Sequence, residues 1–242
     1  AGYQCLLACT NNDVQEELRY LNSFHDQNVD GIILIGTLFT AEHKERLKHL
    51  SVPIVILAQR LDGYSCVYSD DYHASLDLTS RLAKTGHVFG YINAESRDEA
   101  VGPSRKKGFE DGLNQAGQEH APRYYAEAVF SMESGYQMAK KLFTDHPDID
   151  TLLCATDTIA SGALRYFHEQ EIPVPEQVQI AGFGDSSIAR ATTPTLTTAH
   201  FFYEEAGSEA GKILLDMMQE KEHPLNRELK LGFSTIVRDS TR

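Results

Sequence analysis

Asp150-Thr-Leu-Leu-Cys-Ala-Thr-Asp-Thr-Ile-Ala-Ser-Gly-Ala-Leu164 limits the possible folds more than any other stretch of the chain. Leu152 to Ala155 is a short apolar run, Thr156-Asp157 follows at once, and from Ile159 the apolar residues recur at helical spacing with no proline to interrupt them. The pattern predicts a buried strand feeding directly into a helix. In an open α/β sheet the carboxyl ends of such strands open onto a ligand crevice, so Thr156 and Asp157 are placed to face a small molecule. Asp157 is also a candidate N-cap for its helix, and the two roles are compatible.

The same alternation runs along the chain. Strands are predicted at Tyr3–Thr10, Ile32–Ile35, Val52–Leu57, Cys66–Tyr68, Val88–Ile92, Tyr124–Val129, Val178–Phe183 and Ser234–Val237. Between them, helices are predicted over 14–24, 41–50, 70–85, 104–115, 133–143, 157–169 and 203–218, with Asn11-Asn12-Asp13 offering N-caps and Gly86 and Gly117 acting as stops. Near-continuous apolar strands separated by amphipathic helices indicate parallel sheets covered on both faces. Ala1-Gly-Tyr3 reads as the end of one helix running into a second strand, so the first lobe is expected to lack its first, central strand and helix.

Bulk properties narrow the function. The 242 residues carry 35 acidic and 22 basic side chains, a net charge of −13, which repels nucleic acid; any DNA-binding part is expected to lie outside this polypeptide. No run approaches the ~20 apolar residues of a membrane span; the N-terminus lacks the features of a signal peptide, which carries little weight in a chain that begins mid-fold, and the expected location is cytoplasmic. Cys5, Cys9, Cys66 and Cys154 form no CxxC pair and are expected to be buried free thiols in a reducing compartment.

Enzyme signatures are missing. There is no Walker A loop, GxGxxG, GxSxG or HExxH, and the ten histidines are scattered without metal spacing; no cofactor or metal is expected. Asp70-Asp71 is explained by capping and the helix dipole. What remains is a set of polar and aromatic residues just past the strands: Arg97, Asp98 and Glu99, then Arg105, Phe130, Thr156-Asp157, Gly184-Asp185 and Tyr203. Singly each has an ordinary structural explanation, Phe130 and Tyr203 as core and Arg105 as a solvated helix charge. Together they are the inventory of a carbohydrate site, with polar contacts for vicinal hydroxyls and rings for the apolar sugar face.

Nine segments in order then carry a resemblance: Asn11-Asn12-Asp13, Val29 to Ile33, Val52 to Val55, Gly86-His87, Arg105 to Phe109, Glu133 to Tyr136, Ala155 to Ala163, Ala181 to Phe183 and Thr193 to Thr198. In these the chain resembles the effector-binding domain of the LacI/GalR family of bacterial transcriptional regulators. Leu57-Ala58-Gln59, Cys66 to Tyr72 and Ala100-Val101-Gly102 before Arg105 look most like sucrose-operon repressors within it. The resemblance implies a two-lobed, periplasmic-binding-protein-like α/β fold, with 1–69 and 203–230 in one lobe and 70–202 and 231–242 in the other. It implies a sugar effector held by Gln59, Asp98, Arg105, Phe130, Thr156, Asp157, Asp185 and Tyr203, a homodimer, and operator DNA bound by a helix-turn-helix headpiece outside this chain. Arg105 matches the family's sugar-hydroxyl arginine, Phe130 an aromatic wall, Thr156 a position where many members have Asn, and Tyr203 the aromatic that closes the cleft. Two positions depart from the pattern: Gly184-Asp185 stands where Asp-Asp or Asp-Asn is usual, and Ala58-Gln59 where an Asp is common. The other readings are a periplasmic sugar receptor and an enzyme on a doubly wound fold.

Overall fold

A computed structural model describes residues 2–36, 38–94, 98, 100–219 and 225–242. Arg97 and Glu99 lie outside the described residues. The chain divides into two compact units, one of residues 1–68 and 204–229, the other of 69–203 and 230–242.

The first unit holds α1 (Val14–Asp26), β1 (Ile32–Ile35), α2 (Ala41–His49), β2 (Ile54–Leu57), β3 (Ser65–Ser69), nearly all of α8 (Tyr203–Gln219) and the start of β9 (Glu228–Leu231). Its sheet has the order β1-β2-β3-β9, with β1, β2 and β3 parallel. Asp13 caps α1 by accepting from the backbone N–H groups of Gln15 and Glu16. Leu21, Ile32, Leu34, Leu47, Ile54, Ile56 and Cys66 form its core. β1 stands at the sheet edge and alternates buried and exposed residues, leaving Ile35 63% exposed.

One expectation fails here. Tyr3–Thr10 forms no strand: it has no neighbouring strand among the described residues to bond its backbone, and Leu7 is 92% exposed. For the same reason Cys5 and Cys9 are exposed, not buried, while Cys66 and Cys154 are buried as expected.

The second unit holds α3 (Asp71–Leu82), β4 (Phe89–Asn93), α4 (Arg105–Gln115), β5 (Arg123–Glu127), α5 (Met132–Asp145), β6 (Thr151–Cys154), α6 (Asp157–Glu169), β7 (Gln179–Phe183), α7 (Ser187–Ala191), β8 (Thr197–Phe201) and β10 (Phe233–Ile236). Its sheet order is β10-β8-β7-β6-β4-β5, parallel throughout except that β10 runs antiparallel to β8. Residues of β4 alternate between two cores. Phe89 and Tyr91 join Leu78, Phe109 and Leu113 on the α3/α4 face, while Ile92 joins Ile159, Ala163 and Phe167 on the α5/α6 face. The sheet is thus covered on both sides, as its apolar strands require.

The contact between α3 and α4 is close because of Gly108. A Cβ there would lie 2.3 Å from the Tyr72 carbonyl oxygen and 2.8 Å from Ser75 Cβ, so only glycine allows the two backbones to touch. Before α4 the chain makes a wide π-type turn, Ala100–Ser104, which the sequence did not announce. Pro103 fits in it because it has no N–H to satisfy, and among the described residues α4 then starts without a capping side chain.

Candidate functional site

The carboxyl edge of the second sheet brings the polar side chains together. Arg105, the first residue of α4, is 6% exposed. Its Nε donates to Asp71 Oδ1 at 2.8 Å, its Nη2 lies 2.6 Å from the same oxygen, and its Nη1 donates to the carbonyl of Ala155 just past β6. The guanidinium carbon stands 4.8 Å from the centre of the Phe183 ring and 5.1 Å from that of Phe201, at the ends of β7 and β8. A guanidinium carries five N–H donors, and among the described residues these contacts engage three of them.

Asp71 is the partner that sequence reasoning missed. Asp70 caps α3 by accepting from the His73 N–H, which leaves Asp71 free to turn inward, where it is 6% exposed. Burial pushes its carboxyl up and the Arg105 guanidinium pulls against that. The signal available in the sequence was the second acid of a pair where one suffices for the cap.

Asp157 is almost fully enclosed. It accepts from the Thr198 hydroxyl at 2.6 Å and from the Ser186 N–H at 2.8 Å, so each oxygen is held by the protein. Burial raises its titration, and these hydrogen bonds oppose the rise. The cap of α6 is Thr156, whose hydroxyl accepts from the Ile159 N–H at 3.2 Å; the capping role weighed for Asp157 belongs to its neighbour. Gly184 beside it has φ +128°, and a Cβ there would meet Asp157 Oδ2 at 3.5 Å and the Tyr203 hydroxyl at 3.6 Å. Tyr203 therefore closes over that glycine with its hydroxyl end, while the residue as a whole is 59% exposed and its ring meets Phe201 edge-on at 6.1 Å.

Asp98, 2% exposed, accepts from the Val101 N–H at 3.1 Å and fastens the wide turn that delivers Arg105; burial pushes its carboxyl up, and the Val101 N–H and the nearby Arg105 guanidinium oppose the rise. Phe130 is half-buried against the α5/α6 core, and no ring contact joins it to Arg105, Phe183 or Phe201 among the described residues. Gln59, 6% exposed just past β2, belongs to the first unit.

Asp185 is committed to the fold. Its Oδ1 pairs with Arg238 and its Oδ2 lies 3.1 Å from His200 Nδ1 and 3.6 Å from Arg190. Burial pushes the carboxyl up, but Arg238, His200 and Arg190 outweigh it and hold it below the usual carboxylate range. A carboxyl lowered on folding stabilises above its unfolded pKa of about 3.9, and that stability is lost as pH falls through the lower folded value. Asp185→Asn is expected to cost about 1.5–3 kcal/mol at pH 7, the range for a charge-assisted hydrogen bond. Melting curves from pH 7 down to pH 3 should show the gap between variant and wild type closing with acid; a constant gap would remove the electrostatic account.

The described residues contain no cluster of His, Cys, Asp or Glu suited to a metal. No helix among them is long and apolar enough to cross a membrane. Fixed donors, fixed acceptors and aromatic faces at one sheet edge are equipment for binding a polyhydroxylated molecule.

Comparison with known proteins places this architecture. The family described as periplasmic binding protein-like domain matches residues 79–241. The sucrose operon repressor of Staphylococcus xylosus is 30% identical over 225 residues, covering 91% of this chain and 68% of that protein. Transcription regulator GntR of Chromobacterium violaceum superposes with a TM-score of 0.86 at 30% identity, covering 99% of this chain and 89% of that one. A LacI family regulator from Enterococcus faecium with bound ribose gives a TM-score of 0.82 at 26% identity, over 93% of this chain and 84% of that one.

Proposed function

Since the chain belongs to the LacI/GalR family of transcriptional regulators and carries its periplasmic-binding-protein-like effector domain, we propose that it binds a small sugar and thereby controls binding of operator DNA by a headpiece N-terminal to it. The observation that carries the reading is Arg105, buried, fixed by Asp71 and, among the described residues, still holding two donors at the carboxyl edge of the sheet. Two N–H groups of one planar fork suit two neighbouring hydroxyls, and the exposed Tyr203 supplies a ring, while Phe183 and Phe201 are buried and back the guanidinium. Thr156, whose hydroxyl caps α6, and Asp157, enclosed with both oxygens held by Thr198 and Ser186, are kept as ligand contacts on the resemblance, and Asp98 acts through the turn it fastens. Gln59 and Phe130 are kept as ligand contacts on the resemblance alone.

Sucrose is the first effector to test, because a relative is a sucrose operon repressor; ribose is the second, because a neighbour was solved with it. Calorimetric titration with sucrose, trehalose, ribose and their phosphates is expected to give saturable binding for at least one. No heat with any of them would sink the sugar reading. DNA binding requires a partner module, because a net charge of −13 gives these 242 residues no electrostatic attraction for phosphates. The coding region upstream of Ala1 decides that part: a helix-turn-helix supports a homodimeric cytoplasmic regulator, and a signal peptide would make the protein a transport receptor. Whatever coupling exists between sugar and DNA is limited to the difference in sugar affinity between the two states of the protein.

A further inference from the structure

β4 ends in a residue whose carboxamide oxygen the described part of the fold leaves without a partner. Asn93 is 8% exposed, and its carboxamide oxygen is buried without a hydrogen-bond partner among the described residues. Two residues earlier on the same face, the Tyr91 hydroxyl is fully buried and equally unpartnered among them, its ring stacked on Phe109 at 4.9 Å. Side chains alternate along a strand, so Asn93 points to the α3/α4 side as Tyr91 does, the side from which Arg105 reaches over the sheet edge. The backbone ties the two together: the Ala155 N–H donates to the Ile92 carbonyl, and the Ala155 carbonyl accepts from Arg105. Leaving a buried amide oxygen unpaired costs stability that a leucine of nearly the same shape would keep. An amide retained at that cost, at the mouth of the polar cluster, has a use outside folding.

We propose that Asn93 is a ligand-contacting, specificity-determining residue, its carboxamide accepting from a hydroxyl of the bound sugar next to those held by Arg105. The assignment rests on the sugar-binding reading above and extends it to a position for which sequence reasoning gave no signal. Tyr91 lies deeper, with no surface open, and forms the polar floor beneath Asn93. A site that pairs a hydroxyl with a buried acceptor rejects sugars lacking that hydroxyl, because the acceptor is left bare in their complexes.

The test is Asn93→Leu, read by two measurements. The melting temperature without ligand is expected to rise by about 2 °C or more, since an unpaired polar group is replaced by an apolar isostere. Affinity for the sugar that wild type binds, found by titrating sucrose, trehalose, ribose and their phosphates, is expected to fall at least ~10-fold. If the leucine side chain is not tolerated, Asn93→Ala serves for affinity with the same expectation. Unchanged affinity overturns the proposal, as does a melting temperature that falls by several degrees in the ligand-free protein, which would mean that Asn93 is satisfied in the fold, directly or through a bound water. If wild type itself binds none of these sugars, the sugar reading fails separately. The ligand-free melting temperature then still decides whether Asn93 is held for a ligand, with a rise supporting that role and a fall overturning it.

Discussion

Replacing Arg105 with alanine is expected to cost about 3–5 kcal/mol of folding stability and to weaken sugar binding by about 2 kcal/mol or more, a factor of roughly 30. The two losses have different origins. Stability falls because Asp71 stays buried with its partner gone, and the Ala155 carbonyl loses its donor. Binding falls because the two remaining N–H groups disappear from the sheet edge. A double variant separates them: Arg105→Met with Asp71→Leu removes both charges from the same enclosed space, and buried pairs replaced by apolar side chains of similar size are often no less stable. The double variant should recover most of the stability and none of the affinity. Denaturant titration and calorimetry on the single and double variants provide the check. An Arg105→Ala protein that melts with wild type would show that the Asp71 pair is not the buried contact described, and one that binds sugar normally would sever Arg105 from the ligand.

Gly108→Ala is expected to be nearly as damaging, although it adds one methyl group to a helix that alanine ordinarily favours. The added Cβ would sit 2.3 Å from the Tyr72 carbonyl oxygen, 2.8 Å from Ser75 Cβ and 3.0 Å from the Leu76 amide nitrogen, and two of these are backbone atoms that cannot rotate away. Relief requires α4 to move off α3, at a cost of about 3 kcal/mol. Arg105 is one turn away on α4 and Asp71 one residue before Tyr72 on α3, so the same movement stretches the Arg105–Asp71 contact and the 2.6 Å bond from the Ser75 hydroxyl to the Arg105 carbonyl. Melting temperature and sugar affinity should fall together. Loss of stability with affinity intact would show that the pair tolerates helix separation.

The sheet order of strand, helix, strand was legible because parallel strands buried on both faces leave unbroken apolar runs, and Leu152–Ala155 is the clearest of them. Tyr3–Thr10 has the same composition and forms no strand, because a strand is defined by its neighbour and no property of the segment itself announces one. The site was legible in part for the same reason. Arg105, Thr156, Asp157 and Tyr203 sit at strand ends or helix starts that periodicity locates. Asp71 was hidden inside a helix-capping pair, because its role depends on Arg105, 34 residues later in the chain. Asn93 was hidden because an unpaired oxygen is a property of surroundings, and a residue at a strand end looks alike paired or unpaired. The Asp185 pairing was hidden in the same way: its neighbour in space is Arg238, 53 residues away, which a local motif cannot show.

Both units are stitched from separate stretches of chain, and this sets a timetable for synthesis. β8 is finished at Phe201, yet β10, its antiparallel partner, begins only at Phe233 after the polypeptide has left to build α8 and β9. At roughly 5–20 residues per second, a nascent chain holds Thr197–Phe201 as an open edge for seconds while those intervening residues are made. That edge is Thr-Thr-Ala-His-Phe, uncharged except for a histidine, without proline, and four of its five residues end up buried. Unpaired edges of this kind recruit strands from other molecules. Fragments that stop before Phe233 should therefore collect in the pellet while the whole chain stays in solution.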